Sequence, residues 1–204
     1  MTMLDIMTES DCDYVSIVPR PFSLAMEQGD QDISDNRSCI TVAAFPHPFM
    51  ILWSDAGLQA GVLMSNKHWN EKKEGCEVVL PYLWRMLQNI CDNQMLHTPT
   101  CVATFKGPGP YTRLRSGRAF ASGMALGWNV PCAEKIFFDL YADNRRCMTA
   151  VHTGIDKWIV DQGAPMTQRP PSHWNIIESD LYNEQDTINL AERLCLASMR
   201  SISV

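Results

Sequence analysis

Lys106-Gly107-Pro108-Gly109-Pro110-Tyr111-Thr112-Arg113-Leu114-Arg115-Ser116-Gly117 decides how this chain is read. Upstream, Thr98 to Phe105 (TPTCVATF) has the β-branched, apolar character of a strand. Downstream, Thr112 to Trp128 reads as a helix that ends at Asn129-Val130-Pro131. Gly107-Pro108-Gly109-Pro110 is therefore a stiff strand-to-helix corner: its glycines allow positive φ, and its prolines fix φ between them. Such a corner presents backbone N–H groups at a helix N-terminus, where anions are favoured. Lys106, Arg113, Arg115 and Arg118 add positive charge as candidate anion contacts. The simpler alternative is a structural turn beside a solvated basic face. The GxxxxGK[ST] pattern of a P-loop is absent.

The helix after the corner carries Gly117, Gly123 and Gly127, each disfavoured by roughly 1 kcal/mol relative to alanine inside a helix. Ser116, Ala119, Gly123 and Gly127 recur at three- and four-residue spacing, which leaves one flank almost bare. Another backbone can approach such a flank closely, either in the core or across a subunit interface.

Working outward, Cys39 to Phe45, Phe49 to Trp53 and Leu58 to Met64 read as three short strands of an antiparallel meander. Val78, Val79, Tyr82, Leu83, Met86, Leu87 and Ile90 lie at helical spacing, and Pro81 suits only a first turn, so a helix is expected from about Glu77. The order over 39–132 is then β-β-β-α-β-α. Lys135 to Tyr141 and Met148 to Asp161 look strand-like, with a turn near Thr153-Gly154. Gly163 to Trp174 reads as a loop and Gln185 to Met199 as a last amphipathic helix. Residues 1–38 are acidic and weakly apolar, and are expected to form a flexible extension, with a functional acidic tail as the alternative.

Composition narrows the function classes. The 204 residues are 46% hydrophobic and 20% charged, which suits a globular protein with a sizeable core. A net charge of -6 argues against a broad electrostatic grip on nucleic acid, though not against a local basic patch. The eight cysteines are scattered with no CxxC pair and read as reduced, cytosolic thiols. No apolar run is long enough to span a membrane, and no signal peptide is legible.

Gly107-Pro108-Gly109-Pro110-Tyr111-Thr112-Arg113-Leu114-Arg115-Ser116-Gly117, followed by Ala121, Gly123, Met124 and Ala125, resembles the signature GPGSFTGLRxG…AxGLA of the TsaB (YeaZ) family. Glu77-Val78-Val79-Leu80-Pro81 is similar to that family's SExLLP helix start, with Cys76 at the serine position. The chain departs from the family at Pro110 (usually serine), at Arg113 (usually glycine), and at Ala43-Ala44-Phe45, where the family has an acidic turn. The family's charged DAR…E-V-Y strand corresponds to His152-Thr153-Gly154 and Lys157-Trp158-Ile159.

The resemblance implies an α/β fold of the actin-like (ASKHA, RNase H-like) kind. It would have an acidic extension at 1–38, a first lobe at 39–132, and a shortened second lobe with the C-terminal helix at 133–204. It also implies a cytoplasmic, non-catalytic scaffold for making N6-threonylcarbamoyladenosine in tRNA. That scaffold would bind a TsaD-like catalytic subunit and work with a TsaE-like ATPase, without a cofactor or metal of its own; a homodimer through the same helices is an alternative. The interface residues so implied are Val79, Leu83, Met86, Ser116, Ala119, Phe120, Gly123 and Gly127. Contact with tRNA would be indirect or weak.

The rival is an enzyme of the same fold, an ATP-dependent kinase or metalloenzyme. An ATPase needs a carboxylate near the first strand, and Ala43-Ala44-Phe45 offers none. A TsaD-type metal site needs an HxxxH pair, and His47, His68, His97, His152 and His173 contain no such spacing. A protease is disfavoured because neither GxSxG nor HExxH occurs.

Overall fold

The structure is a computed structural model. It describes residues 14–21, 37–44, 49–55, 58–64, 75–91, 98–140, 148–154, 157–160, 165–177 and 184–201. Strands β2 (Cys39–Ala43), β3 (Met50–Ser54) and β4 (Leu58–Met64) form the expected meander. Helix α1 (Cys76–Ile90), strand β5 (Cys101–Gly107) and helix α2 (Tyr111–Trp128) follow in the expected order. β5 lies parallel to β2, and β6 (Cys132–Ile136) lies parallel to β5. With an edge strand β1 (Tyr14–Pro21) on β4, the mixed sheet has six strands in the order β1-β4-β3-β2-β5-β6.

β1 corrects the expectation of a wholly flexible 1–38. Tyr14-Val15-Ser16-Ile17-Val18 is rich in β-favouring residues, and it pairs antiparallel with β4. The register shifts between Ile17 and Arg20, where Pro19 has no N–H to donate, a fault that only an edge strand tolerates. The rest of that expected extension falls outside the described residues, apart from residues 37 and 38.

Alternation along the strands sends side chains to both faces, and both are covered. On one face Ile40, Val42, Ile51, Trp53, Val62, Met64 and Val102 pack with Val79, Leu80, Leu83 and Leu87 of α1 and Ala121 and Ala125 of α2. On the other, Cys39, Met50, Leu52, Leu63, Cys101, Ala103 and Phe105 pack with Leu190, Ala191, Leu194, Cys195 and Met199 of the C-terminal helix, 184–201. A sheet buried on both sides has near-continuous apolar strands, which is why β2 and β3 are buried at every position. The meander, the parallel pair and the two helical layers form a three-layer α/β/α unit.

Several elements differ from the sequence reading. Residues 135–140 divide between β6 and a short helix α3 (Phe137–Leu140), whose Phe137 stacks on Phe105 at 4.2 Å and 10°. Pro81 lies inside α1 rather than in its first turn. A short strand, β10 (Asn175–Ile177), was not anticipated. The C-terminal helix α4 (Glu184–Ser201) packs on β2, β3, β5 and β6, so it completes the first sheet although its sequence was grouped with the second lobe. The Arg37 guanidinium donates to the Met199 carbonyl at 2.9 Å, tying the end of α4 to the chain entering β2.

The second sheet is small, in the order β10-β7-β8-β9, with β7 (Thr149–Gly154) and β8 (Lys157–Val160) as a hairpin and β9 (Pro165–Met166) beside β8. Ala150, Trp158 and Val160 form its own apolar cluster, with Met166, Trp174 and Ile176 packed against it. Among the described residues, no helix is long and apolar enough to cross a membrane.

Candidate functional site: the glycine–proline corner and the cleft beside it

The corner sits between a strand and a helix. β5 runs through Lys106 and Gly107, the chain bends at Pro108, Gly109 and Pro110, and α2 begins at Tyr111. Gly107 has φ +136, a conformation that side-chain-bearing residues rarely adopt, so glycine is required there. The Gly107–Pro108 peptide is cis. β5 is anchored just before the bend: the buried Thr104 hydroxyl donates to the Val42 carbonyl at 3.0 Å. The α2 N-terminus has no side-chain cap and no acid in its first turn.

An open cleft of about 550 Å³ lies beside the corner, bounded by Lys106, Gly107, Pro108 and Gly109, by Tyr111, Leu114, Arg115 and Arg118 of α2, and by Thr153 and Ile159 of the second sheet. Three of the four expected basic residues therefore share one space. Arg113 leaves the group: its guanidinium carbon stands 6.0 Å from the centre of the Phe49 ring. Arg118 is fixed by Glu134 of β6 through two parallel donations, Nε to Oε1 at 2.8 Å and Nη2 to Oε2 at 2.9 Å. These hydrogen bonds and the Glu134 charge raise the Arg118 pKa, so the guanidinium stays charged. Lys106 and Arg115 are exposed, and among the described residues neither is paired with a carboxylate. Tyr111, at the cleft mouth, is 76% exposed.

Gly117 and the expected bare flank lie on different sides of α2. A Cβ at Gly117 would stand 2.7 Å from the Ala44 Cβ, so this glycine, on the buried side with Leu114, Ala121 and Ala125, lets the helix close onto the end of β2. Gly123 and Gly127 meet nothing within 4 Å. The flank Ser116, Ala119, Gly123 and Gly127 is exposed or half-buried throughout, so within this chain it is not core. Of the residues expected to form a partner interface, Ala119, Gly123 and Gly127 are exposed, and Met86, Ser116 and Phe120 are half-buried. Val79 and Leu83 require correction: both are 0% exposed, because that side of α1 packs on the chain's own sheet. The exposed large apolar residues described on these helices are Val78, Tyr82, Tyr111 and Leu126. The Trp84 and Trp128 rings meet edge to face at 5.5 Å and help hold α1 beside α2.

Sequence reasoning did not single out Tyr111, Glu134, Thr153 or Ile159. Tyr111 lay within the quoted motif, and an aromatic after Gly-Pro-Gly-Pro and amid cations was its one available signal. Glu134, Thr153 and Ile159 come from other elements, and only folding brings them to the corner.

Among the described residues, no group of three or more His, Cys, Asp and Glu could hold a metal ion. The described free thiols are Cys39, Cys91, Cys101, Cys132 and Cys195. Hydrogen bonding to Cys101 and Cys195, with burial, raises the Cys39 pKa well above the ordinary thiol value.

A corner of this kind between a parallel strand and a helix, in a meander-led sheet covered on both faces, defines a three-layer α/β protein with a small second sheet across a cleft. Within that class the chain has a YeaZ-type fold. YeaZ from Pseudomonas aeruginosa superposes with a TM-score of 0.51 at 14% identity, covering 76% of this chain and 90% of that one. A second Pseudomonas aeruginosa protein, uncharacterized and described as similar to peptidase YeaZ, matches at a TM-score of 0.45 and 14% identity, over 66% of this chain and 64% of its own. No protein-family model and no curated protein sequence matches the chain.

Proposed function

We propose that this protein is a non-catalytic, cytoplasmic scaffold of actin-like fold in the complex that makes N6-threonylcarbamoyladenosine in tRNA. It activates a TsaD-like catalytic subunit by docking on it, and works with a TsaE-like ATPase. The observation that carries the proposal is the outward face of α1 and α2 in a YeaZ-type fold. Val78 is 57% exposed, Tyr82 47% and Leu126 83%, and Gly123 and Gly127 of α2 meet nothing within 4 Å. Exposed apolar groups on these helices, with a bare turn on one of them, suit a partner helix that approaches closely.

The end of β2, the strand that opens the meander, supports the non-catalytic part of this reading. An ATPase needs a carboxylate near that strand to manage the metal ion and phosphates. Here Ala44 is 3% exposed and packed toward Gly117, so the position is filled by apolar contact.

Gly123→Leu tests the docking face, because it adds bulk where the isolated chain has open space. Co-expression with a TsaD-like subunit should give a co-purifying pair with the native protein. The variant should lose the pair while keeping its thermal unfolding curve. Normal pairing by the variant would place the interface elsewhere. Micromolar binding of ATP with Mg²⁺ to the isolated chain would favour the kinase or metalloenzyme alternative.

A further inference from the structure

The cleft beside the corner is lined by none of the residues that carry the proposed docking face, Val78, Tyr82, Gly123, Leu126 and Gly127. It combines exposed cations with an exposed aromatic ring. Lys106 and Arg115 are exposed cations with no carboxylate partner among the described residues, although the chain as a whole carries -6. Tyr111, which lines the same cleft, is 76% exposed. An exposed aromatic beside unpaired cations is the arrangement that holds single-stranded nucleic acid. The cations take backbone phosphates, and the ring stacks an unpaired base without regard to its identity. At about 550 Å³ the cleft is of the size that takes a small-molecule unit such as one nucleotide, and it is open, so a strand can enter and leave.

We infer that this cleft binds one unpaired nucleotide of an RNA strand, with Lys106 and Arg115 on the phosphates and Tyr111 stacked on the base. Arg118 supplies a third positive group, but Glu134 already occupies its fork, so it orients the wall of the cleft and holds phosphate less directly. Thr153 and Ile159 bring the second sheet into the lining of the same cleft. The choice of RNA rests on the proposed role in tRNA modification; the phosphate-and-stacking chemistry rests on the cleft alone.

The test is fluorescence anisotropy of the full chain with a fluorescein-labelled, unstructured ten-nucleotide RNA, at low and at near-physiological salt. Lys106→Ala with Arg115→Ala should lower the slope of log affinity against log salt by about 1.4, the share of two phosphates in single-stranded binding. Tyr111→Ala should weaken binding about tenfold, and Tyr111→Phe, which keeps the ring, should restore it. A duplex of the same length should bind more weakly because its bases are already stacked. Three results would overturn the inference: no binding by the native chain, binding unchanged in the Tyr111→Ala and double-alanine variants, or free AMP competing as strongly as the strand. The assay contains no partner protein, so its outcome is independent of co-purification. Loss of docking with RNA binding intact would remove the scaffold role, and the converse would remove the cleft assignment.

Discussion

Gly117 and Gly123 lie on one helix, yet replacing each with alanine should change stability in opposite directions. Both substitutions remove a glycine from a helix interior, which by itself should stabilise the chain by up to roughly 1 kcal/mol. At Gly123 the new methyl meets nothing within 4 Å, so that gain should appear nearly whole. In a chain of 204 residues, 1 kcal/mol corresponds to a rise of about 2–4 °C in Tm. At Gly117 the methyl would lie 2.7 Å from the Ala44 Cβ, about 1 Å inside the ~3.5–4.0 Å optimum for two carbons. Overpacking of that order typically destabilises by about 1–3 kcal/mol, enough to cancel or exceed the propensity gain. The difference between the two variants cancels propensity and isolates the clash, at about 1–3 kcal/mol. Urea denaturation with unchanged m-values measures it. Ala44→Gly in the Gly117→Ala background removes the facing methyl, and a double-mutant cycle should show favourable coupling. If Gly117→Ala is as stable as Gly123→Ala, α2 does not close onto β2 as described, and the placing of Gly117 on the buried side of the helix is refuted.

Two further outcomes follow from the other face of the sheet. Leu194 is 0% exposed against the sheet, so Leu194→Ala should destabilise the whole cooperative unit by about 2–5 kcal/mol. A loss below 1 kcal/mol in chemical denaturation would mean that α4 is not part of that core. The raised pKa of Cys39 means that folding favours its neutral thiol; the associated stability is fully present below the ordinary thiol pKa of about 8.5 and is lost as pH climbs through the folded-state value. The hydrogen bond with Cys39 lowers the Cys101 pKa, which acts in the opposite direction, so the slope belongs to the pair. Cys39→Ala should change how steeply Tm varies between pH 8 and pH 10, and a profile parallel to the native one would show that the thiol pair does not contribute.

Much of the first sheet was legible because its signals are local. The strand runs at 39–45, 49–53 and 58–64, the 3.6-residue period of α1 and the corner at 107–110 each depend on neighbouring residues alone. The stiffness of the corner was likewise a property of its own glycines and prolines. What lay outside local reach was the choice of partner. β1 was missed because an edge strand is stabilised by the strand it joins, and its own prolines obscure the pattern. Val79 and Leu83 were expected at a partner interface because the family resemblance assigns these helices to one, and neither it nor the periodicity of α1 says which stripe the chain's own sheet covers. The sheet already needed that stripe, so both residues went to the core.

By itself the sequence determined the β-β-β-α-β-α order from β2 to α2, the stiff turn into α2 and the lack of side chains along one flank of that helix, since propensity and φ restriction act within a few residues. Tertiary structure alone decided that Gly117 is closed by Ala44 while Gly123 is open, that α4 belongs to the first sheet, and that Tyr111, Lys106 and Arg115 face a second sheet across a cleft. Those outcomes depend on which distant surfaces bury one another, and burial is settled over the whole chain at once.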